Sequence, residues 1–391
     1  MVKFIYFLYF LSKMRYNPFN PQLPARPNFF VGREPEITEF EKYLTQTIHG
    51  SPMNMSITGN RGMGKTSIMM KFEQIAKDQN CLVVRLSNYE GNVKDIIELC
   101  DFISANIKTE IISKKPLSKL NEWLKTLKPT VGWNDVSLTL EKRQIAQELF
   151  RQRLNRLWEE IKDEFKAIVI LIDEAESLEK VSGALTFLRE VFQRVSSEAN
   201  YMVVLAGKLN FPERMSESFS PLNRFFPVQK LKALNHEEIK EYILRKLEPE
   251  KVTVDQKSID YLVKKTEGHP YVLVAMCYLI FDSLREGKNE IDIDLVGRTE
   301  EKIKTRLAQD FFAPMYHPLT KKAKEILIDV CKNVTAVKFT FREAIKWTGK
   351  EGSYLSPYIL ELLRKGILNK PERATYQIFH TSFVEYVKQL E

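Results

Sequence analysis

The sequence predicts an α/β fold built on a doubly wound parallel sheet. Short, continuous apolar runs, typical of strands that are buried on both faces, alternate with helical stretches between residues 54 and 231. The first run leads into a glycine-rich loop and then into a helical stretch, an order that directs a helix N-terminus toward a phosphate group. After residue 231 the apolar spacing becomes helical, which predicts further helical domains.

Five apolar runs are predicted to be the strands of this sheet. A long insertion at residues 107–164 separates the second run from the third, and it ends in an amphipathic helix from about residue 141. The part of the insertion before that helix contains a basic stretch and a hairpin-like segment at residues 130–140. The five runs occupy residues 54–58, 81–86, 167–173, 201–207 and 227–231.

Four regions are predicted along the chain. Residues 1–28 are an extended leader, because four prolines between residues 17 and 28 exclude a helix there. Residues 29–233 are the sheet domain, and residues 234–316 are a small all-α lid that starts at a helix cap on Asn235. Residues 317–391 are a winged helix, with three helices at about 320–332, 340–348 and 353–366 followed by a two-stranded wing.

The composition is typical of a soluble globular protein with two or three domains. The 391 residues are 44% hydrophobic and carry a net charge of +8, which favours an acidic partner such as nucleic acid or is simply a solvated lysine-rich surface. The four cysteines form no C-x-x-C pair, which argues against a zinc site or disulfide framework and predicts a cytoplasmic location. The apolar segment 2–13 is shorter than the ~20 residues that span a bilayer, so no membrane span is expected.

The glycine-rich loop fits the phosphate-binding pattern G-x-x-x-x-G-K-[ST], called the Walker A motif. Its glycines let backbone N–H groups turn toward a β-phosphate, while Lys65 reaches the β- and γ-phosphate oxygens and the Thr66 hydroxyl binds Mg²⁺. The loop therefore predicts a site for ATP or ADP with Mg²⁺. The cofactor-binding candidates of the loop are Gly59, Asn60, Arg61, Gly62, Met63, Gly64, Lys65, Thr66 and Ser67.

A second chemical element follows the third predicted strand, in the sequence IVILIDEAES at residues 168–177. Asp173 is placed to bind Mg²⁺ through water, and Glu174 to polarise the attacking water as a general base. Together with Lys65, Glu174 makes hydrolysis of ATP the predicted reaction. The other interpretation is that the two carboxylates only cap a helix.

The order of these motifs resembles that of AAA+ type P-loop ATPases. It is most similar to the branch that contains the archaeal ATPases, the origin-recognition initiators and the signal-transduction (STAND) ATPases. Members of that branch often carry a winged helix. The resemblance covers about residues 17–310, and it rests on FVGRE (30–34), GNRGMGKT (59–66), ILIDEAE (170–176), LAGK (205–208), SPLNRFFPVQKLKALNHEEI (220–239) and TEGHPYVL (266–273).

The resemblance implies further nucleotide contacts. In such proteins the hydrophobic-Gly-Arg-Glu segment lies against the adenine, which nominates Val31, Gly32 and Arg33. The other interpretation, compatible with the first, is a helix N-terminus at which Glu34 and Glu36 favour the helix dipole. The GHP turn of the lid nominates His269 and Pro270, although a lone histidine is more often structural.

Two departures from the family pattern favour a slow switch over a processive motor. The fourth strand ends in Gly207 and Lys208 where many AAA+ proteins have an asparagine that senses the γ-phosphate, so Lys208 is a cofactor-binding candidate. The lid has no clear arginine at the γ-phosphate position. Arg224, or Arg214, is the candidate for an arginine that acts in trans on a neighbouring subunit, which implies a homo-oligomer in the ATP state.

Two functions remain open. The first is an initiator-like or mobile-element ATPase that associates with double-stranded DNA, because residues 318–391 contain 13 Lys+Arg and 8 Asp+Glu, 13 − 8 = +5. The second is a STAND-type signalling ATPase whose winged helix packs on protein and binds no DNA. The predicted recognition helix favours the second, since its only basic residues, Arg364 and Lys365, lie at its C-terminal end. A scaffold without turnover is disfavoured, because both catalytic motifs are intact.

Overall fold

A computed structural model describes residues 16–87, 93–114, 140–212, 215, 220–285 and 287–390. The chain divides into two compact units. The core unit is residues 33–232, and the C-terminal unit is residues 233–391 together with the residues before Arg33. The predicted boundaries between leader, sheet domain, lid and winged helix stay predictions. Within the described ranges, no helix is both long enough and apolar enough to cross a membrane.

The core unit contains a five-stranded, fully parallel sheet with the order β2-β3-β4-β1-β5. The predicted α/β fold with a doubly wound parallel sheet is therefore confirmed. Each predicted run coincides with its strand to within one residue at either end. The strands are β1 Met55–Thr58, β2 Leu82–Ser87, β3 Ile168–Asp173, β4 Tyr201–Gly207 and β5 Val228–Lys230.

Helices cover both faces of this sheet, which explains why the strands are continuously apolar. Alternate residues of a strand point to opposite faces of the sheet. Ile170 belongs to an apolar cluster with the helices of the insertion between β2 and β3, whereas Leu171 is buried on the other face. The helices are α1 Glu34–Ile48, α2 Lys65–Asp78, α3 Ile96–Lys114, α4 Leu140–Ile161, α5 Ala184–Val195 and α6 Leu222–Phe225, with a 3-10 turn at Ala175–Lys180.

The insertion between β2 and β3 is helical where it is described. Helix α3 extends into the predicted basic stretch as far as Lys114, and α4 corresponds to the predicted amphipathic helix. Buried residues such as Ile103 and Leu154 attach these two helices to the sheet. The predicted hairpin at 130–140 lies, except for residue 140, outside the described residues.

The C-terminal unit is mainly helical. Its first part, the segment predicted as an all-α lid, also contains a short parallel pairing of β6 with β7, with two residues in each strand. The elements are α7 His236–Leu247, β6 Thr253–Val254, α8 Gln256–Thr266, α9 Pro270–Asp282, β7 Glu290–Ile291, α10 Ile293–Leu307, a π-helical turn Ala308–Phe312 and α11 Ala313–Tyr316.

The last part of the chain combines four helices with an antiparallel sheet. The sheet has three strands in the order β8-β10-β9, one more than the predicted wing, because Lys338–Thr340 also pairs with β10. The three predicted helices correspond to α12, α13 and α14. The elements are α12 Lys321–Asn333, β8 Lys338–Thr340, α13 Phe341–Thr348, α14 Gly352–Arg364, β9 Leu368–Glu372, β10 Thr375–Ile378 and α15 Thr381–Lys388.

One apolar core runs through the whole C-terminal unit. Buried side chains from α9, the π-helical turn and α15 belong to a single cluster, for example Leu273, Phe312 and Phe383. Polar contacts add to it at the turn after α8: the Thr381 N–H donates to Glu267 Oε1 (3.0 Å), and the His380 ring nitrogen Nε2 lies 3.1 Å from the Thr266 carbonyl oxygen. The segments predicted as lid and winged helix therefore fold as one unit.

His380 contacts this turn as a neutral imidazole. Its Nδ1 accepts a hydrogen bond from the Ser382 N–H at 3.1 Å, so Nε2 carries the proton that is donated to the Thr266 carbonyl. The side chain is fully buried. Burial lowers the pKa of His380 from its ordinary value, against the opposing effect of the Glu267 carboxylate.

We expect His380 to make the stability of the C-terminal unit dependent on pH. The unfolded chain takes up a proton at a pKa of about 6.5, and the folded chain does so only at lower pH. The free energy of unfolding is therefore maintained above about pH 6.5 and decreases below it. Thermal unfolding at about pH 7.5 and about pH 5.5 measures this, and His380→Gln should lose part of the pH difference. An unchanged difference in this variant would contradict the assignment.

Candidate phosphate-binding site

The loop between β1 and α2 is shaped by glycines at positive φ. Gly62 has φ 78° and Gly64 has φ 88°, values that other residues adopt only with strain. Gly64 caps α2, which begins at Lys65. The first N–H groups of a helix have no acceptor within the helix, and the helix dipole places partial positive charge there. The loop therefore presents backbone donors and a positive field, the environment that an anionic phosphate requires.

Lys65 forms hydrogen bonds to the backbone of the loop that precedes it. Its ammonium Nζ donates to the carbonyl oxygens of Gly59 (2.9 Å) and Asn60 (3.0 Å). An ammonium has three N–H donors, so the two bonds fix its position while one donor is left for another acceptor. Burial lowers the pKa of Lys65, and the nearby carboxylates of Glu176 and Asp173 act in the opposite direction.

The predicted Mg²⁺ ligands lie in direct contact. The Thr66 hydroxyl donates to Asp173 Oδ2 at 2.8 Å, although the two residues are 107 positions apart in the sequence. The other oxygen, Asp173 Oδ1, accepts from the Glu174 N–H at 3.0 Å. A hydroxyl and a carboxylate next to a phosphate-binding loop are the hard oxygen ligands that Mg²⁺ prefers, so the residues present fit this ion.

Glu174 lies at the turn that ends β3. Its backbone is left-handed, with φ 52°, and its side chain is exposed. Desolvation raises the pKa of Glu174, and the negative charges of Asp173 and Glu176 add to the rise, whereas Lys208 and Lys65 lower it. The five groups therefore form one electrostatic cluster, with Lys65 at the start of α2 and the other four just after or at the ends of β3 and β4.

Lys208 forms an ion pair with Glu176 in this cluster. Lys208 Nζ lies 3.5 Å from Glu176 Oε1. The second oxygen, Glu176 Oε2, is buried and has no hydrogen-bond donor among the described residues. Glu176 was not among the predicted site residues; the signal that could have identified it is the third acidic position in the IDEAES sequence.

Arg33 contacts backbone carbonyls of the core unit. Its side chain is buried, with Nη1 donating to the Lys232 carbonyl (2.5 Å) and Nη2 to the Met63 carbonyl (3.3 Å). Val31 and Gly32, predicted as its neighbours at the nucleotide, belong to the C-terminal unit, where Val31 is part of the apolar cluster. A nucleotide contact for these three residues stays a prediction.

His269 and Pro270 also belong to the C-terminal unit. The buried His269 ring lies among other rings, with centroid distances of 5.5 Å to Phe311 and 6.0 Å to His380, and Pro270 is the first residue of α9. These surroundings suit the alternative interpretation of a structural histidine. Arg224 is exposed in the short helix α6, and Arg214 lies outside the described residues.

Comparisons with known proteins agree with this geometry. Residues 30–205 match the family model of the AAA ATPase domain. The chain is 26% identical over 300 residues to an uncharacterized HTH-type transcriptional regulator of Methanocaldococcus jannaschii, a match that covers 73% of this chain and 71% of the relative.

Two solved structures have a similar fold. One is a Walker-type ATPase of Pyrococcus abyssi, with a TM-score of 0.61 and 18% identity, covering 95% of this chain and 99% of that one. The other is the ORC2 protein of Aeropyrum pernix in its ADPNP–ADP complexes, with a TM-score of 0.59 and 12% identity, covering 93% of this chain and 94% of that one. At these identities the likeness concerns the fold.

We expect Gly64→Ala to destabilise the chain through backbone strain alone. An added Cβ at Gly64 meets nothing within 4 Å, so the cost comes from its φ of +88°, about 1–2 kcal/mol. Gly297 in α10 is the matched control: its added Cβ also meets nothing within 4 Å, but its φ is ordinary. Gly297→Ala should therefore stabilise, by about 0.5–1 kcal/mol. Thermal unfolding of both variants tests this, and equal shifts would contradict it.

Proposed function

Because residues 30–205 match the family model of the AAA ATPase domain, we propose that this chain is a slow, Mg²⁺-dependent ATPase that works as a switch. Nucleotide state then controls its assembly and its association with double-stranded DNA. The observation that carries the proposal is the convergence of Lys65, Thr66 and Asp173 at the glycine-rich loop. These three groups are what a loop needs to hold a nucleoside triphosphate with its metal ion.

The loop residues divide the work of nucleotide binding. Backbone N–H groups of the loop surround the β-phosphate, and the remaining donor of Lys65 serves the β- and γ-phosphate oxygens. The Gly59 and Met63 N–H groups are not among these donors, because they donate to the carbonyls of Gly207 and Asn60. Thr66 and Asp173 hold Mg²⁺, which when bound supplies neutralisation of the charge on the phosphate oxygens. Val31, Gly32, Arg33, His269 and Pro270 are proposed as further nucleotide contacts on the family resemblance.

Glu174 orients and deprotonates the water that attacks the γ-phosphate. It directly follows Asp173, and its exposed carboxylate extends from the same turn. Lys208, paired with Glu176, brings a second ammonium group close to Lys65 and stands as the γ-phosphate contact at the end of β4. Arg224 is proposed to act in trans, since it is exposed and therefore accessible to a neighbouring subunit.

Two substitutions separate ATP binding from hydrolysis. Lys65→Ala should weaken ATP binding by about 10–100-fold, because charge-assisted hydrogen bonds are lost. Glu174→Gln should bind ATP normally and lose about 10²–10⁴-fold in turnover, because the amide cannot accept a proton. Binding of a fluorescent ATP analogue and phosphate release measure the two effects. Glu159→Gln, an exposed change on α4, is the control and should alter neither. Preserved turnover in Glu174→Gln would refute its role as the base.

DNA association is proposed for the last part of the chain, which we propose to be a winged helix. Helices α12–α14 with the β8-β10-β9 sheet supply the elements of such a domain. Lys322 and Lys350 lie 5.6 Å and 5.9 Å from the ring of the exposed Tyr354 at the start of α14, so cationic groups flank the helix end that would approach DNA. The relative from M. jannaschii is named as an HTH-type transcriptional regulator.

The signalling ATPase without DNA binding is the second candidate. It is favoured by the single apolar core of the C-terminal unit and by the contacts of His380 and Thr381 with the turn after α8. The outward positions of α14 include Ser353, Ser356 and Leu360, side chains that offer little for reading base edges. In this function the domain is a packing element, and nucleotide state controls only assembly.

Duplex DNA distinguishes the two candidates. If DNA is bound, we expect the affinity to fall steeply between about 50 and about 200 mM salt, and Lys322→Ala and Lys350→Ala each to reduce the salt slope by about one. Lys257→Ala, an exposed change on α8, is the matched control. ATP turnover with and without DNA and the mass in each nucleotide state complete the test. Undetectable DNA binding at low salt, with assembly in ATP, would establish the second candidate instead.

A further inference from the structure

Arg33 occupies a special position in the chain as well as in space. It is the first residue of the core unit, and Lys232, whose carbonyl it binds, is the last. These residues mark the two points where the chain passes between the core unit and the C-terminal unit, which we call the crossings. The same guanidinium donates to Met63 in the glycine-rich loop. One buried side chain thus joins the loop to both crossings.

Arg33 combines a strained backbone with a buried side chain. Its φ is 75°, a left-handed value that is unfavourable for a residue with a Cβ, and its side chain is only 6% exposed. A strained residue with a buried charge persists only where the surrounding structure holds it, and such positions are concentrated at switches and ligand sites. The acceptors at Met63 and Lys232 are backbone carbonyls, so these two hydrogen bonds depend on the path of the chain at residues 63 and 232.

The orientation of the Met63 carbonyl depends on the conformation of the glycine-rich loop. Met63 lies between Gly62 and Gly64, which both have positive φ, and its N–H donates to the Asn60 carbonyl at 3.3 Å. A ligand that binds the N–H groups of this loop reorients its peptide planes, and the Met63 carbonyl belongs to one of them. The planar guanidinium of an arginine binds two acceptors at once in a fixed geometry. A displacement of one acceptor therefore moves the guanidinium and alters its hydrogen bond to the other.

We propose that Arg33 is a positioning residue that couples occupancy of the phosphate loop to the two crossings. When nucleotide binds, the guanidinium transmits the change at Met63 to residues 32–33 and 232–233. The inference rests on the proposed nucleotide binding by the same loop. Besides any contact with the nucleotide, Arg33 then has a second role, which is to change the conformation of the crossings when nucleotide binds.

Hydrogen exchange of the full chain with and without ATP and Mg²⁺ tests the coupling, since it reports opening at each segment separately. In the unaltered protein, nucleotide should slow exchange at residues 59–66 and also change exchange at both crossings. Because Arg33 is also a proposed nucleotide contact, Arg33→Ala is measured at an ATP concentration that saturates it. Nucleotide should then still slow exchange at residues 59–66, where Lys65 holds the loop carbonyls, while the nucleotide-dependent change at the crossings is lost. A structural role alone would raise exchange equally with and without nucleotide.

Two further variants keep the test decisive. Arg33→Lys retains the charge but not the planar fork, and it should show a smaller nucleotide-dependent change in exchange at the crossings. This variant can be measured even if Arg33→Ala folds poorly. Arg156→Ala, which removes an exposed arginine from α4, should behave as the unaltered protein. A full response at the crossings in Arg33→Ala or Arg33→Lys would overturn the coupling alone. No nucleotide effect at residues 59–66 in the unaltered protein would overturn the proposed function together with it.

Discussion

The parallel arrangement of the strands is the constraint on which the phosphate site depends. In a parallel sheet the carboxyl ends of all strands meet at one edge, so groups that are distant in sequence come together there. The register pairs Thr58 of β1 with Gly207 of β4, while β3, which ends in Asp173, pairs with the other side of β4. The 2.8 Å hydrogen bond from Thr66 to Asp173 follows from this order of strands.

Two cations hold the loop in the shape that the glycines allow. Lys65 binds the carbonyls of Gly59 and Asn60, and Arg33 binds that of Met63. Glycines at positive φ permit the turn, but they also lose the most conformational entropy when they are ordered. Hydrogen bonds from the Lys65 ammonium and the Arg33 guanidinium to the loop carbonyls offset this loss.

The C-terminal unit shows how a shared core limits independent motion. Helices from the segment predicted as a lid and from the segment predicted as a winged helix contribute to one apolar cluster. Each large side chain buried in such a cluster contributes about 1.5–3 kcal/mol to stability, so separating the two segments would expose many such groups. The hydrogen bond from the Thr381 N–H to Glu267 adds a polar contact between the same two segments.

The sequence by itself determined the strands, most helices and the position of the glycine-rich loop, because apolar periodicity and the glycine pattern are local signals. Tertiary structure alone decided the partners of Arg33, His380 and Glu176. Arg33 and His380 bind carbonyls of Lys232 and Thr266, and a carbonyl is present at every residue, so no side-chain pattern marks it. The Glu176 ion pair with Lys208 depends likewise on β3 and β4 being neighbours, which the register of the folded sheet establishes.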